Sequence, residues 1–271
     1  MAIHLSKNTF MVERTVFCNT FPELKGEHLR VYLLMCRVVG VNSNGTFFMS
    51  LDTTARELNI SIHKIRDSID WLCKNYFIKK VGRRSQVNVY KVLVTPDYHR
   101  STKTYYSNEH IHRDRVTMKQ TQNGYCEIPI EMMEGSVLRD KTKWTDRKIK
   151  VLGQLYLYHW IDEYGGVDPN AAHFINNTIN VSDLITYNLG CHVNDIKKVV
   201  RWLHREGYIM KVKAVYRINQ NSCYKELQFI GDAIKTKQQP GDVIIDVIRL
   251  TCIPDLKLKN ALKRTGGNIA V

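Results

Sequence analysis

Two runs of apolar residues in this chain share one spacing, 131 positions apart. Ile62, Ile65, Ile69 and Leu72 stand 3, 4 and 3 residues apart, and Val193, Ile196, Val200 and Leu203 repeat the interval. That spacing lines one face of a helix. The same shift carries Leu58 onto Leu189, Trp71 onto Trp202, and Phe77 and Ile78 onto Tyr208 and Ile209. A short helix is predicted before each stripe, over Thr53–Leu58 and Ser182–Leu189. Asn59 and Gly190 mark the turns that follow, both being residues that tolerate positive φ. Ser61 is placed to cap the second helix of the first copy.

After each stripe the pattern turns strand-like, over Phe77–Val81 and Tyr208–Val212. Polar turn patches follow at Gly82–Ser85 and Asn219–Ser222. A returning strand is predicted over Val87–Val94 and over Tyr224–Ile230. A longer apolar helix precedes each copy, Glu27–Val39 and Asp146–Tyr164, with loop signals between Gly165 and Asn177. Trp71 and Trp202 follow the apolar stripes directly and are expected to pack in the cores.

These elements predict an α+β chain with four segments. Residues 1–95 form a first domain, 96–123 a polar basic linker, and 124–231 a second domain. Residues 232–271 form a C-terminal tail with a strand-like run, Val243–Leu250, and a short basic helix, Pro254–Arg264. Neither a long apolar span nor a secretory leader is found, so a cytoplasmic protein without membrane insertion is expected. The seven cysteines are scattered and contain no Cys-x-x-Cys pair. Free, reduced thiols are expected, with no zinc knuckle.

Charge adds the chemistry. The 271 residues carry 40 Lys and Arg against 26 Asp and Glu, a net charge of +14. Such a balance attracts polyanions. On the outer face of the second copy's stripe helix stand Asn194, Lys197, Lys198, Arg201 and Arg205. Asn can pair bidentately with adenine, Arg with guanine, and Lys can reach guanine or phosphate. The first copy's helix offers His63, Lys64 and Arg66 but also Asp67 and Asp70, so it is expected to read more weakly or to serve in dimerisation. Lys80, Arg83 and Arg84 in the first hairpin, and Lys211, Lys213 and Arg217 in the second, are candidate phosphate contacts.

Catalytic patterns are poor, and no enzymatic activity, metal or cofactor is expected. No Gly-x-x-x-x-Gly-Lys-Ser/Thr loop occurs. His110, His112 and Asp114 read as a polar loop more readily than as metal ligands. Tyr105 and Tyr106 lack the acidic cluster that a strand-nicking tyrosine would need.

Helix, turn, helix and hairpin in this order resemble the winged helix-turn-helix superfamily over Glu27–Val94 and Asp146–Ile230. Two such units in a chain of this size resemble the layout of plasmid and phage replication initiators. The resemblance implies sequence-specific binding to double-stranded DNA at an origin, nucleoid association, a homodimer and contacts with replication or transcription machinery. A transcription regulator of a phage or mobile element shares the layout, as do helicase loaders and winged helices that dock proteins. The resemblance is one of architecture.

Overall fold

The structure, a computed structural model, describes residues 4–41, 45–107, 125–157, 166–167, 181–219, 226–234 and 236–254. The chain is α+β and forms two compact units. One is Asn8–Gly153; the other joins Met1–Lys7 to Gln154–Val271. Strand β1 (His4–Ser6) belongs to the latter.

The Asn8–Gly153 unit opens with β2 (Thr9–Glu13), a 3-10 turn (Arg14–Phe17) and helix α1 (Gly26–Val41). Leu29, Val31, Tyr32, Leu33, Leu34, Met35, Cys36 and Val39 are all buried, so α1 is enclosed nearly all round, as a central helix must be. Strand β3 (Thr46–Phe47) precedes α2 (Leu51–Leu58), which starts two residues before the predicted Thr53. The reason is a cap: Ser50 Oγ accepts the Thr53 amide at 3.1 Å. Asn59 takes the left-handed conformation at φ 52, as its residue type predicts, and Ser61 caps α3 (Ile62–Lys74). Ile65, Ile69 and Leu72 are buried, but Ile62 is 40% exposed. Helical side chains lean toward the N-terminus, so one at the first position projects past the end of the helix and misses the core.

Strands β4 (Ile78–Arg84) and β5 (Val87–Val92) form the hairpin, with β3 paired to the far side of β5. The predicted turn at Gly82–Ser85 is shifted. Gly82, Arg83 and Arg84 belong to β4, and the turn is Ser85–Gln86, with Ser85 at φ 54.

The segment expected as a linker is in part a second hairpin, β6 (Asp97–His99) with β7 (Thr104–Tyr106). Tyr105 is buried, 5.7 Å from Phe77 and 5.8 Å from Trp71 between ring centroids. Polar composition hid this hairpin: its anchor is one aromatic ring among charged neighbours. Trp71 stacks on His28 at 4.6 Å and on Phe77 at 5.6 Å, the packing role expected of it. His110, His112 and Asp114 lie outside the described residues.

Strand β8 (Tyr125–Pro129) pairs antiparallel with β2, centred on Met11 opposite Glu127. A 3-10 turn (Ile130–Met133) follows β8 just as one follows β2, so the two strands and their turns are related by a local two-fold. Helices α4 (Ser136–Arg139) and α5 (Asp146–Leu157) complete the segment. Arg30 on α1 is 2% exposed and donates to the carbonyls of Val137 (3.0 Å), Leu138 (2.8 Å) and Trp144. Gly153 on α5 lies against the Phe17 ring, where a Cβ would collide with ring carbons.

The second unit continues from α5 through β9 (Gly166–Val167), α6 (Val181–Leu189) and α7 (Val193–Arg205). Gly190 sits at φ 59, and Ile196, Val199, Val200 and Leu203 are buried. Its sheet joins β10 (Ile209–Asn219), β11 (Glu226–Asp232) and β12 (Asp242–Leu250) in the order β11-β10-β12-β9. A last strand, β13 (Cys252–Pro254), runs parallel to β1.

The returning strand expected over Tyr224–Ile230 is β11, antiparallel to β10, but the reading of 232–271 as a tail requires correction, because β12 pairs with the other edge of β10. In the first unit Ile78 faces Val92, Thr46 faces Lys91 and Phe47 faces Tyr90. In the second, Ile209 faces Leu250, Gly166 faces Arg249 and Val167 faces Ile248. The strand that matches β5 is therefore β12, and β11 is an additional strand on the other edge of β10. Both strands join the sheet, and β12 is the one whose Val247, Ile248 and Leu250 are buried. The expected basic helix begins at Pro254, which ends β13; the rest of it lies outside the described residues.

The six described cysteines are free thiols, and no described helix is long and apolar enough to cross a membrane. Arg30→Met should leave its buried carbonyls without donors. At about 1–3 kcal/mol per orphaned group, stability should fall by roughly 3 kcal/mol or more. A urea titration reads this as a lower midpoint at unchanged slope. A shift below about 1 kcal/mol would mean that water replaces the guanidinium.

Candidate nucleic-acid interface

Helix α7 begins where His192 Nδ1 accepts the Asn194 amide at 3.2 Å. Opposite its buried face, Asn194, Lys197, Lys198, Arg201 and Arg205 are all exposed. Their intervals of 3, 1, 3 and 4 residues keep them on one side of the helix. Arg201 Nε donates to the Lys197 carbonyl at 3.3 Å, which holds its side chain along the helix. The carboxylates near this stripe are peripheral. Asp195 lies 3.8 Å from Lys198, and Glu206 lies 3.5 Å from Arg205. Trp202, half-buried, stacks on Tyr208 with ring centroids 6.3 Å apart.

On β10, Lys211 and Lys213 are exposed and, two residues apart, share a face of the strand. Arg217 does not join them. Its guanidinium grips Asp242 through two hydrogen bonds, 2.8 and 3.2 Å, and the two residues are register partners across β10 and β12. The pair holds the Asp242 carboxyl below its ordinary range and raises Arg217, because each charge steadies the other. Arg217, expected as a phosphate contact, is engaged in this ion pair across the strands. Sequence could not show this, since Asp242 stands in the stretch read as a tail.

Helix α3 differs in kind. Lys64 Nζ lies 3.0 Å from Glu27 Oε1, and Lys141 Nζ lies 2.8 Å from the same oxygen. His63 is 3.5 Å from Asp67. Arg66 is exposed, but so are Asp67 and Asp70. Beside the helix, Glu23, Lys25, Glu27, His28, Trp71 and Asp146 line a cleft of about 560 Å³. Asp146 there accepts the Gly26 amide at 2.6 Å. Burial holds His28 below its ordinary range, so it is neutral at neutral pH and adds no positive charge. The three carboxylates around this cleft are matched by Lys25 in its lining and by Lys64 and Lys141 on Glu27.

The hairpin of the same unit is the reverse. Lys79, Lys80, Arg83 and Arg84 are exposed along β4, and neither β4 nor β5 contains an acidic residue. Arg83 Nε donates to Asn88 Oδ1 at 3.1 Å, and the Arg84 guanidinium lies 5.1 Å over the Phe48 ring. Lys91 was not among the candidates; it faces Lys79 across the strands. Only the pairing register brings those two lysines together, so no linear signal points to Lys91.

Tyr105 is buried in the aromatic cluster while Tyr106 is 53% exposed. Among the described residues no group of three or more His, Cys, Asp or Glu is arranged to hold a metal. The chain matches no protein-family model, and its sequence aligns significantly with no curated protein.

Glu27 titrates at about 2 instead of 4.5, first because Lys141 and then because Lys64 donates to it. A carboxyl depressed on folding adds stability that is complete above its unfolded value and is lost as pH falls through its folded one. Glu27→Gln should therefore flatten the acid limb of stability between pH 4.5 and 2, followed by urea midpoints at stepped pH. An unaltered limb would assign the acid sensitivity to other carboxylates.

Proposed function

We propose that this protein binds double-stranded DNA sequence-specifically through two winged helix-turn-helix units, with α7 as the principal reading helix. The observation that carries this reading is the exposed stripe Asn194, Lys197, Lys198, Arg201 and Arg205, opposite the buried face of the second helix of a helix-turn-helix. A helix of that kind fits the major groove, where Asn, Lys and Arg can meet base edges. Lys211 and Lys213, on the strand that follows, suit phosphate contacts that fix the register. Five engaged cations of the second unit, Lys197, Lys198, Arg205, Lys211 and Lys213, are expected to contribute about −4.5 to the salt slope.

The role that suits this layout is origin recognition in the replication of a plasmid, phage or other mobile element. What supports it is two helix-turn-helix copies in one chain, each followed by a sheet of matching register. One chain can then engage two adjacent elements of a repeated site. DNA binding of this kind requires no cofactor.

Selection of bound fragments from random and genomic DNA, with affinity measured at two salt concentrations, tests the reading. Directly repeated sites are expected. Palindromic promoter-proximal sites would indicate a transcription regulator instead, and salt-sensitive binding without any preferred site would reject sequence-specific reading. On the selected site, Arg201→Ala or Lys197→Ala should cost about 1–3 kcal/mol more than Lys64→Ala or Arg66→Ala. Equal losses from both helices would overturn the assignment of α7 as principal reader.

A further inference from the structure

On α3 cations and carboxylates are interleaved, with Lys64 tied to Glu27 and His63 beside Asp67, whereas the hairpin of the same unit carries cations alone. Strand β4 is exposed from Lys79 to Arg84. Its ladder with β5 shifts between Lys80 and Gly82, so Val81 is an extra residue in a bulge. The bulge resets which residues share a face. Lys80 pairs with Tyr90 and Arg83 with Asn88, and these fall on one face. Hydrogen bonds running along that face agree with this, from Arg83 Nε to Asn88 Oδ1 and from Asn88 Nδ2 to the Tyr90 hydroxyl, each 3.1 Å. Arg84, next along the strand, turns to the opposite face and stacks over Phe48. Lys79 faces Lys91 across the strands, on the same face as Arg84.

Beyond Tyr90, where β3 no longer pairs, the structure is a bare two-stranded ribbon. Its tip therefore carries one arginine on each face. Asn88 occupies only Nε of Arg83, and the Phe48 ring occupies only the flat side of Arg84, so planar guanidinium edges remain to grip phosphate. We infer that the first unit contacts duplex DNA through this ribbon rather than through α3. The ribbon enters a groove with Arg83 and Arg84 turned to the phosphate rows on its two sides. A major groove about 12 Å wide accepts a two-stranded ribbon. On α3 the exposed carboxylates of Asp67 and Asp70 repel phosphate and Lys64 is tied to Glu27, so that helix offers phosphate less than the ribbon does. This inference rests on the DNA-binding reading above, and it concerns which surface of the first unit is used.

Ethylation interference on the selected duplex, with the full chain, tests it. Wild type, Arg83→Ala, Arg84→Ala and the double variant Lys64→Ala/Arg66→Ala are compared. Arg83→Ala should relieve interference at phosphates of one strand and Arg84→Ala at phosphates of the other, both flanking one groove. Each should lower the salt slope by about 0.9, while the double variant leaves footprint and slope as they were. Relief on the same strand by both arginine variants would overturn groove insertion. Loss of contacts in the α3 double variant would overturn the choice of ribbon over helix. If a footprint dependent on Arg201 persists while neither arginine variant changes it, this inference falls and the α7 reading stands. A chain that protects no duplex removes both.

Discussion

Arg30 sits fully inside the Asn8–Gly153 unit, and its terminal nitrogens serve carbonyls of Val137, Leu138 and Trp144. A buried guanidinium is costly unless acceptors surround it; here both terminal nitrogens are met while Nε has no partner. Burial lowers its pKa, yet an arginine stays protonated, so the charge must be accommodated. The arrangement dictates that α1 and the 137–144 segment fold together. Asp146 on the Gly26 amide and the β2–β8 ladder reinforce that union. The opening elements of the second repeat are thereby built into the same compact unit as the first helix-turn-helix.

The two sheets show how one packing solution accepts an insertion. In both, the strand after the second helix pairs with a later strand in one register, and that later strand takes a two-residue strand on its far side. The closing residues also agree. Phe77 O accepts Leu93 N at 3.0 Å, and Tyr208 O accepts Thr251 N at 3.2 Å. The second unit adds β11 to the free edge of β10 without disturbing this register, since an outer edge is where a strand can be gained at least cost to the core. The Arg217–Asp242 pair then fixes β12 against β10 at the point where the inserted segment rejoins the sheet.

The surfaces of the two copies have diverged where their cores have not. Ile65, Ile69 and Leu72 bury one helix, and Ile196, Val200 and Leu203 bury the other at the same spacing. The outer faces differ in how cations are used. On α3, Lys64 is spent on Glu27 and His63 lies beside Asp67; on α7, Lys197 and Arg201 stand outward, with Lys198 3.8 Å from Asp195 at the flank of the stripe. Positive potential in the first unit moves instead to the β4–β5 ribbon, which has no acidic residue. Such divergence of surface over a common core spacing is physically cheap, because surface charge costs little stability while core spacing tolerates little change.

Local features were legible in the chain itself. The 3-4-3 apolar spacing located α3 and α7, Asn59 and Gly190 marked the turns, and Ser61 marked a cap, because each depends on residues within one or two turns of one another. The basic stripe on α7 was legible for the same reason. Tertiary structure alone decided the matters that depend on distant partners. Val243–Leu250 became a central strand instead of a tail, and Tyr105 tied half of an expected linker to an aromatic cluster. Arg217 was claimed by Asp242, Lys64 by Glu27, and Lys91 was set against Lys79. Helical periodicity is written in neighbouring residues, but strand pairing and ion pairing join positions far apart, and composition does not say which of many partners a strand or a charge will meet.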